Sequence, residues 1–156
     1  MKIRNILRNA ILATVVALAA VATIDANATM GYSVTTRNAQ LNAITTAVGN
    51  AGTLTIYCGT QPATGGTATT VAVTFTMGSP FAPSASAAVL SPTLPSAATA
   101  TGTCTATWFR IATSGGTQVI DGTVGTSGAD LNLTTTSITS GLSVSITSFT
   151  ITRGNP

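Results

Sequence analysis

From Gly52 onward, apolar side chains return at every second position. Leu54, Ile56 and Cys58 alternate with Thr53, Thr55 and Tyr57, which predicts a strand buried on one face. Val71, Val73 and Phe75 alternate with Thr70, Thr74 and Thr76 and predict a second strand; Gln61 to Thr67, with Pro62, Gly65 and Gly66, is the loop between them. Pro80, Pro83, Pro92 and Pro95 confine any pairing between Gly78 and Pro95 to short or edge pieces, with Phe81, Val89, Leu90 and Leu94 as anchors. Thr99 to Thr113 reads as the central strand, with Cys104, Ala106 and Trp108 on one face and Phe109 and Ile111 on the other. Ser114-Gly115-Gly116 turns it into Gln118 to Val124. Leu131 and Leu133 follow a glycine-punctuated loop, Gly125 to Asp130. A last pair of strands runs through Leu142, Val144 and Ile146, then Phe149 and Ile151; the change of phase predicts a bulge or bend.

Before this region the period is different. Leu41, Ile44 and Val48 fall at i, i+3 and i+7 within Ser33 to Gly49, a narrow helical stripe with Ser33 or Thr35 as its cap and Gly49-Asn50 as its end. The expected fold is all-β: a single β-sandwich or jelly-roll-like domain of seven or eight short strands over residues 52–156. A short helix and linker at 30–51 and an N-terminal helical extension precede it.

Residues 1–29 form a hydrophobic segment. Lys2, Arg4 and Arg8 stand before an apolar run from Ala10 to Ile24, and Ala26-Asn27-Ala28 follows. This is the pattern of a secretory signal peptide cut after Ala28. A span of about 22 Å as a helix is short of a hydrocarbon core of ~30 Å, so a membrane span is the weaker reading. An assembly arm buried against a neighbouring subunit is the other reading of the same segment.

Composition narrows the chemistry. The 156 residues carry six Lys or Arg, three Asp, no Glu and no His, whereas about a quarter of an ordinary domain is charged. General acid–base catalysis and metal sites have only Asp25, Asp121, Asp130, Cys58 and Cys104 to draw on, so an enzyme is not expected. The chain is 44% hydrophobic, and Thr makes up roughly a fifth of it, which favours a packed β domain over disorder. Beyond residue 30 only Arg37, Arg110, Arg153, Asp121 and Asp130 are charged. No basic patch points to nucleic acid, and no small-molecule substrate or cofactor is expected.

Four groups of side chains carry alternative readings. Cys58 and Cys104 form either a disulfide or two small buried thiols. Asp121 and Asp130 serve turn chemistry, a cation site, or salt bridges to Arg110 or Arg153 across subunits. Trp108, in Thr107-Trp108-Phe109-Arg110, is either a core plug or a surface hot spot; with Arg37, Arg110 and Arg153 it is a candidate inter-subunit contact. Gly122 to Gly128 looks superficially like a phosphate loop but lacks the Lys-Ser/Thr ending.

From Tyr32 onward the chain resembles a family of small phage virion proteins encoded among head and tail genes. The resemblance rests on Tyr32-Ser-Val-Thr-Thr-Arg-Asn-Ala39, Gly59-Thr-Gln-Pro-Ala63, Thr107-Trp-Phe-Arg-Ile111, Gly122-Thr-Val-Gly-Thr-Ser-Gly-Ala-Asp-Leu131 and Ser148-Phe-Thr-Ile-Thr-Arg-Gly-Asn155. It implies a non-enzymatic, multi-copy virion protein that is homo-oligomeric and contacts the major capsid protein or other virion subunits. Capsid decoration or cement is the preferred form and a tail-associated protein the alternative. The first 29 residues depart from the family pattern, as an addition before Met30. A secreted fimbrial, pilin-like or surface β-sandwich subunit, extracellular or periplasmic after cleavage, is the competing expectation; the leader-like segment and the cysteine pair suit it.

Overall fold

The structure, a computed structural model, describes residues 30–154. The signal-like segment, its cleavage point and the expected N-terminal helical extension lie outside these residues. From Gly31 onward the described residues form one compact unit.

Helix α1 spans Val34–Val48. The Ser33 hydroxyl accepts the Thr36 amide at 3.1 Å, and Gly49, at φ 70°, closes the other end by donating to the Thr45 carbonyl. Leu41 and Val48 are its buried residues.

The main sheet is mostly antiparallel. β1 (Thr53–Cys58) lies between β2 (Thr70–Thr76) and β5 (Cys104–Ala112), and β6 (Gln118–Gly125) pairs with the far side of β5. The order then continues through β7 (Leu131–Leu133) to β10 (Ile146–Phe149), while β8 (Ser137–Ile138) pairs with the start of β5. Two smaller sheets each hold two strands: β3 (Val89–Leu90) with β11 (Ile151–Thr152), and β4 (Ala98–Thr99) with β9 (Ser143–Val144). Among the described residues the protein is therefore mostly β, with one short helix and a curled main sheet. α1 packs on β3 and β6.

The core lies in the concavity of that sheet. Leu54, Ile56, Val73, Phe75, Phe109, Ile111, Leu131 and Leu133 are joined there by Phe81, Leu90 and Phe149. Phe149 sits edge-on to Phe109 at 5.3 Å and to Phe81 at 6.5 Å between ring centres. Each such side chain contributes about 1.5–3 kcal/mol through burial, so the four phenylalanines hold the curl together.

Several sequence expectations are corrected. β1 is covered on both faces, because Tyr57 and Thr55 are buried as well as Leu54 and Ile56. The two faces of β5 are also redrawn. Tyr57 pairs with Trp108 but Cys58 with Ala106, leaving Thr107 as the extra residue of a bulge. Ala106 thus joins Phe109 and Ile111 in the core, and Trp108 goes to the reverse face.

The C-terminal run, expected as one strand pair, is divided among three sheets. Val144 pairs with β4, Ile146 to Phe149 with β7, and Ile151 with β3. The expected irregularity falls between Ile146 and Ser148. With the proline-rich segment broken into two-residue pieces, this division yields eleven strands among the described residues rather than seven or eight. Leu94 and Leu142 anchor nothing: they are 41% and 36% exposed, while Pro92 beside the first is buried and Gly141 turns the chain at the second.

Candidate functional site

The reverse face of the main sheet carries an ion pair between neighbouring strands. Arg110 and Asp121 stand directly opposite each other on β5 and β6. The guanidinium grips the carboxylate with two bonds, Nε to Oδ1 at 2.7 Å and Nη2 to Oδ2 at 2.8 Å. The Asp121 side chain is 1% exposed. Its hydrogen bonds from Arg110 hold the carboxyl below the usual range and outweigh burial, which pushes it up; the Gly65 amide assists at 3.3 Å.

Next to this pair the aromatic rings stack. Tyr57 lies on Trp108 with 4.3 Å between centres and 15° between planes, and the Arg110 guanidinium carbon is 5.3 Å from the centre of the Trp108 ring. The loop after β1 folds across them. Trp108 donates its indole N–H to the Thr69 hydroxyl at 3.0 Å, and that hydroxyl donates to the Cys58 carbonyl. Cys58 and Cys104 are joined as a disulfide with a Cα separation of 6.2 Å, tying the end of β1 to the start of β5.

A second cluster lies in the loop after β6. Asp130 accepts the Thr123 amide at 2.8 Å and the Thr123 hydroxyl at 2.7 Å, and its own amide donates back to that hydroxyl at 3.2 Å. This latch folds a five-residue connection tightly enough for Leu131 to pair in parallel with Val124. Gly122 is needed beside it: a β carbon there would meet the Phe109 ring at 2.6 Å.

A third cluster joins α1 to the C-terminal strand. Arg37 donates from Nη1 to the Arg153 carbonyl at 3.1 Å, and Arg153 donates from Nε to Gln40 Oε1 at 3.1 Å. Beside them Leu41, Ile44 and Ile151 line a groove of about 410 Å³.

The structure therefore separates the four candidate contact residues. Trp108 is fully buried within its own chain, on the reverse face beneath the loop after β1 and outside the core cluster. Arg110 is bonded by Asp121 within the chain, and that acid lies on β6 rather than in a turn. Turn chemistry applies to Asp130, and among the described residues no three metal-ligating side chains converge. Arg37 is half-buried and bonds the Arg153 backbone carbonyl, while Arg153 itself is exposed.

Two residues were passed over in the helix, which had no chemistry assigned to it. Asn38 and Asn42 accept the amides of Ala88 at 2.8 Å and Ala85 at 2.7 Å, and so hold the segment where Ala87 and Ala88 take positive φ. Their i, i+4 spacing on one helical face was the available signal.

No protein-family model, no curated protein and no solved structure matches the chain.

Proposed function

We propose that the protein is a non-enzymatic structural subunit of a phage particle, and specifically a capsid decoration or cement protein. The observation that carries the reading is the fate of the residues behind the virion resemblance. Trp108, Arg110 and Asp130 are spent on fixing the fold, through the ring stack, the ion pair to Asp121 and the Thr123 latch. What faces outward on the strands is largely Thr and Ser, for example Thr70, Thr74, Thr76, Thr105 and Thr107. Such a surface suits dense packing among copies, because each charge buried without a partner at an interface costs several kcal/mol. In this reading the curled sheet and the two small sheets are the layers of a jelly-roll-like sandwich. The subunit acts by binding the assembled state alone, which shifts assembly toward it. Particles lacking the protein should lose heat or osmotic stability; unchanged stability and infectivity overturn the cement role.

One observation favours a second reading, a secreted fimbrial or pilin-like subunit: the disulfide between Cys58 and Cys104, a bond that persists in oxidising compartments. Intact mass of the native protein, with and without reductant, separates the two. A chain beginning at Thr29 with the bond intact supports export, and one beginning at Met1 or Met30 supports cytoplasmic assembly of a virion.

A further inference from the structure

Thr53 to Ile56 keep an unbroken register against both neighbours of β1. Beyond them both ladders slip. The register against β2 shifts between Ile56 and Tyr57, and that against β5 between Tyr57 and Cys58. A ladder is disrupted where it slips, so Tyr57 and Cys58 are the loosely held end of the strand. The far side of the disulfide is held differently. Cys104 pairs with Ile138 of β8, and the Ala106 amide donates to the Thr136 carbonyl at 2.8 Å. The bond between Cys58 and Cys104 therefore ties a loose strand end to a supported one.

The loop over Trp108 hangs on that loose end. None of residues 59–69 is buried, so hydrogen bonds rather than packing hold the loop down. The Thr107 hydroxyl donates to the Gly59 carbonyl, the Thr69 hydroxyl to the Cys58 carbonyl, the Trp108 indole to Thr69, and the Gly65 amide to Asp121. The first two act on Cys58 or the residue after it, and the third needs Thr69 to stay in place above the ring. Tyr57, which stacks on Trp108, belongs to the same loose end. The bond is also within reach of a small thiol: Cys58 is buried, but Cys104 is partly exposed between exposed Thr103 and Thr105.

We infer that the Cys58–Cys104 disulfide is a redox latch on residues 57–69: when it is reduced, the end of β1 and its loop lift from a sheet that stays folded and uncover Trp108, and when it is oxidised they close over the ring. Opening consumes two molecules of a thiol such as glutathione. One thiolate attacks the Cys104 sulfur, forming a mixed disulfide and releasing the Cys58 thiolate, which takes up a proton. A second attacks the glutathione sulfur of that mixed disulfide, leaving oxidised glutathione and a Cys104 thiolate that is protonated in turn. Closing is the reverse, with oxidised glutathione taking the two electrons. The latch concerns this chain's own loop and is independent of which proposed function holds.

The test places the full-length protein in reducing and oxidising glutathione buffers, and counts free thiols alongside acrylamide quenching and amide hydrogen exchange. Trp108 is the only tryptophan of the chain, so quenching reports this one ring. Reduction should raise the quenching constant at least about threefold and speed exchange about tenfold or more over Tyr57 to Thr69, while Leu54, Ile56, Phe75 and Ile111 keep their protection. Oxidised glutathione should reverse both changes, and Cys58→Ser with Cys104→Ser should hold the open state in either buffer. A bond that survives the reducing buffer, a Trp108 still shielded once two thiols are free, or protection lost across the whole sheet in the reduced protein or the variant would each overturn the inference. Particle stability and chain mass do not enter this readout, so failure of the latch and failure of the proposed function remain distinct.

Discussion

Arg110 and Asp121 face each other across neighbouring strands and are bonded twice, at 2.7 and 2.8 Å, beneath a loop that leaves the carboxylate 1% exposed. Breaking such a pair from one side strands the other charge. Arg110→Met or Asp121→Asn should therefore lower the unfolding free energy by about 2–4 kcal/mol in urea, whereas Arg110→Met with Asp121→Leu should recover much of that loss. If the double variant is no better than the singles, the pair is not what the fold depends on there.

The same contact sets a pH dependence. Arg110 holds the Asp121 carboxyl below its ordinary range. A depressed acid contributes its full stability above the unfolded-state pKa, near 4, and loses it as pH falls through the lower folded value. Urea midpoints should hold level from about pH 7 to pH 5 and drop below about pH 4. Asp121→Asn should flatten that acid limb.

The Cys58–Cys104 bond closes a separation of 46 residues. Chain entropy puts its contribution at about 4 kcal/mol. Melting with and without reductant, and of Cys58→Ser with Cys104→Ser, should show a lower midpoint in the reduced protein and in the variant alike.

Gly122→Ala tests the approach of β6 to the core. Its β carbon would lie 2.6 Å from Phe109 Cε1 and 2.7 Å from Cζ, so the ring must shift, and Phe149 packs against that ring. The cost should be about 1–3 kcal/mol by urea denaturation. A neutral outcome would show that the ring moves freely.

Asn42→Ala and Asn38→Ala each leave one backbone amide, Ala85 or Ala88, without its acceptor. Each should cost about 1–3 kcal/mol and speed hydrogen exchange at that amide. Ala87→Gly, at φ 51°, should act in the opposite sense, because glycine takes the left-handed region without a side-chain clash.

Regular stretches of the fold were legible in the sequence. The stripe from Leu41 to Val48 gave α1, and the run from Thr70 to Thr76 matches the bounds of β2, although Ala72 is buried there and Val71 is exposed. Ser114-Gly115-Gly116 turns the chain as expected, with the Gly116 amide on the Thr113 carbonyl. Single-residue insertions were not legible. The bulge at Thr107 depends on how β1 meets β5, a long-range pairing that no local period encodes, and it decides which face Trp108 takes. Burial of both faces of β1 was equally hidden, since Tyr57 and Thr55 read as solvent-facing until the loop bearing Gly65 and Thr69 is laid over them. At the candidate sites, the sequence supplied the charged residues but not their partners. Asp121 and Asp130 sit nine positions apart in similar glycine-bearing surroundings, yet one meets a guanidinium and the other a threonine.

The division of residues 143–152 among three sheets makes this short stretch a seam. β9, β10 and β11 each contribute an edge to a different sheet, and Val144, Ile146 and Phe149 are buried between them. A single backbone cut within the seam, at Ser145 or Thr150, would unfasten separate parts of the molecule together. Its partners in β4, β7 and β3 lie at sequence distances of about 15 to 60 residues, so the stretch finds its place only after much of the chain is already arranged. The seam should thus close late in folding, and a protease that reaches it should release the whole fold rather than trim it.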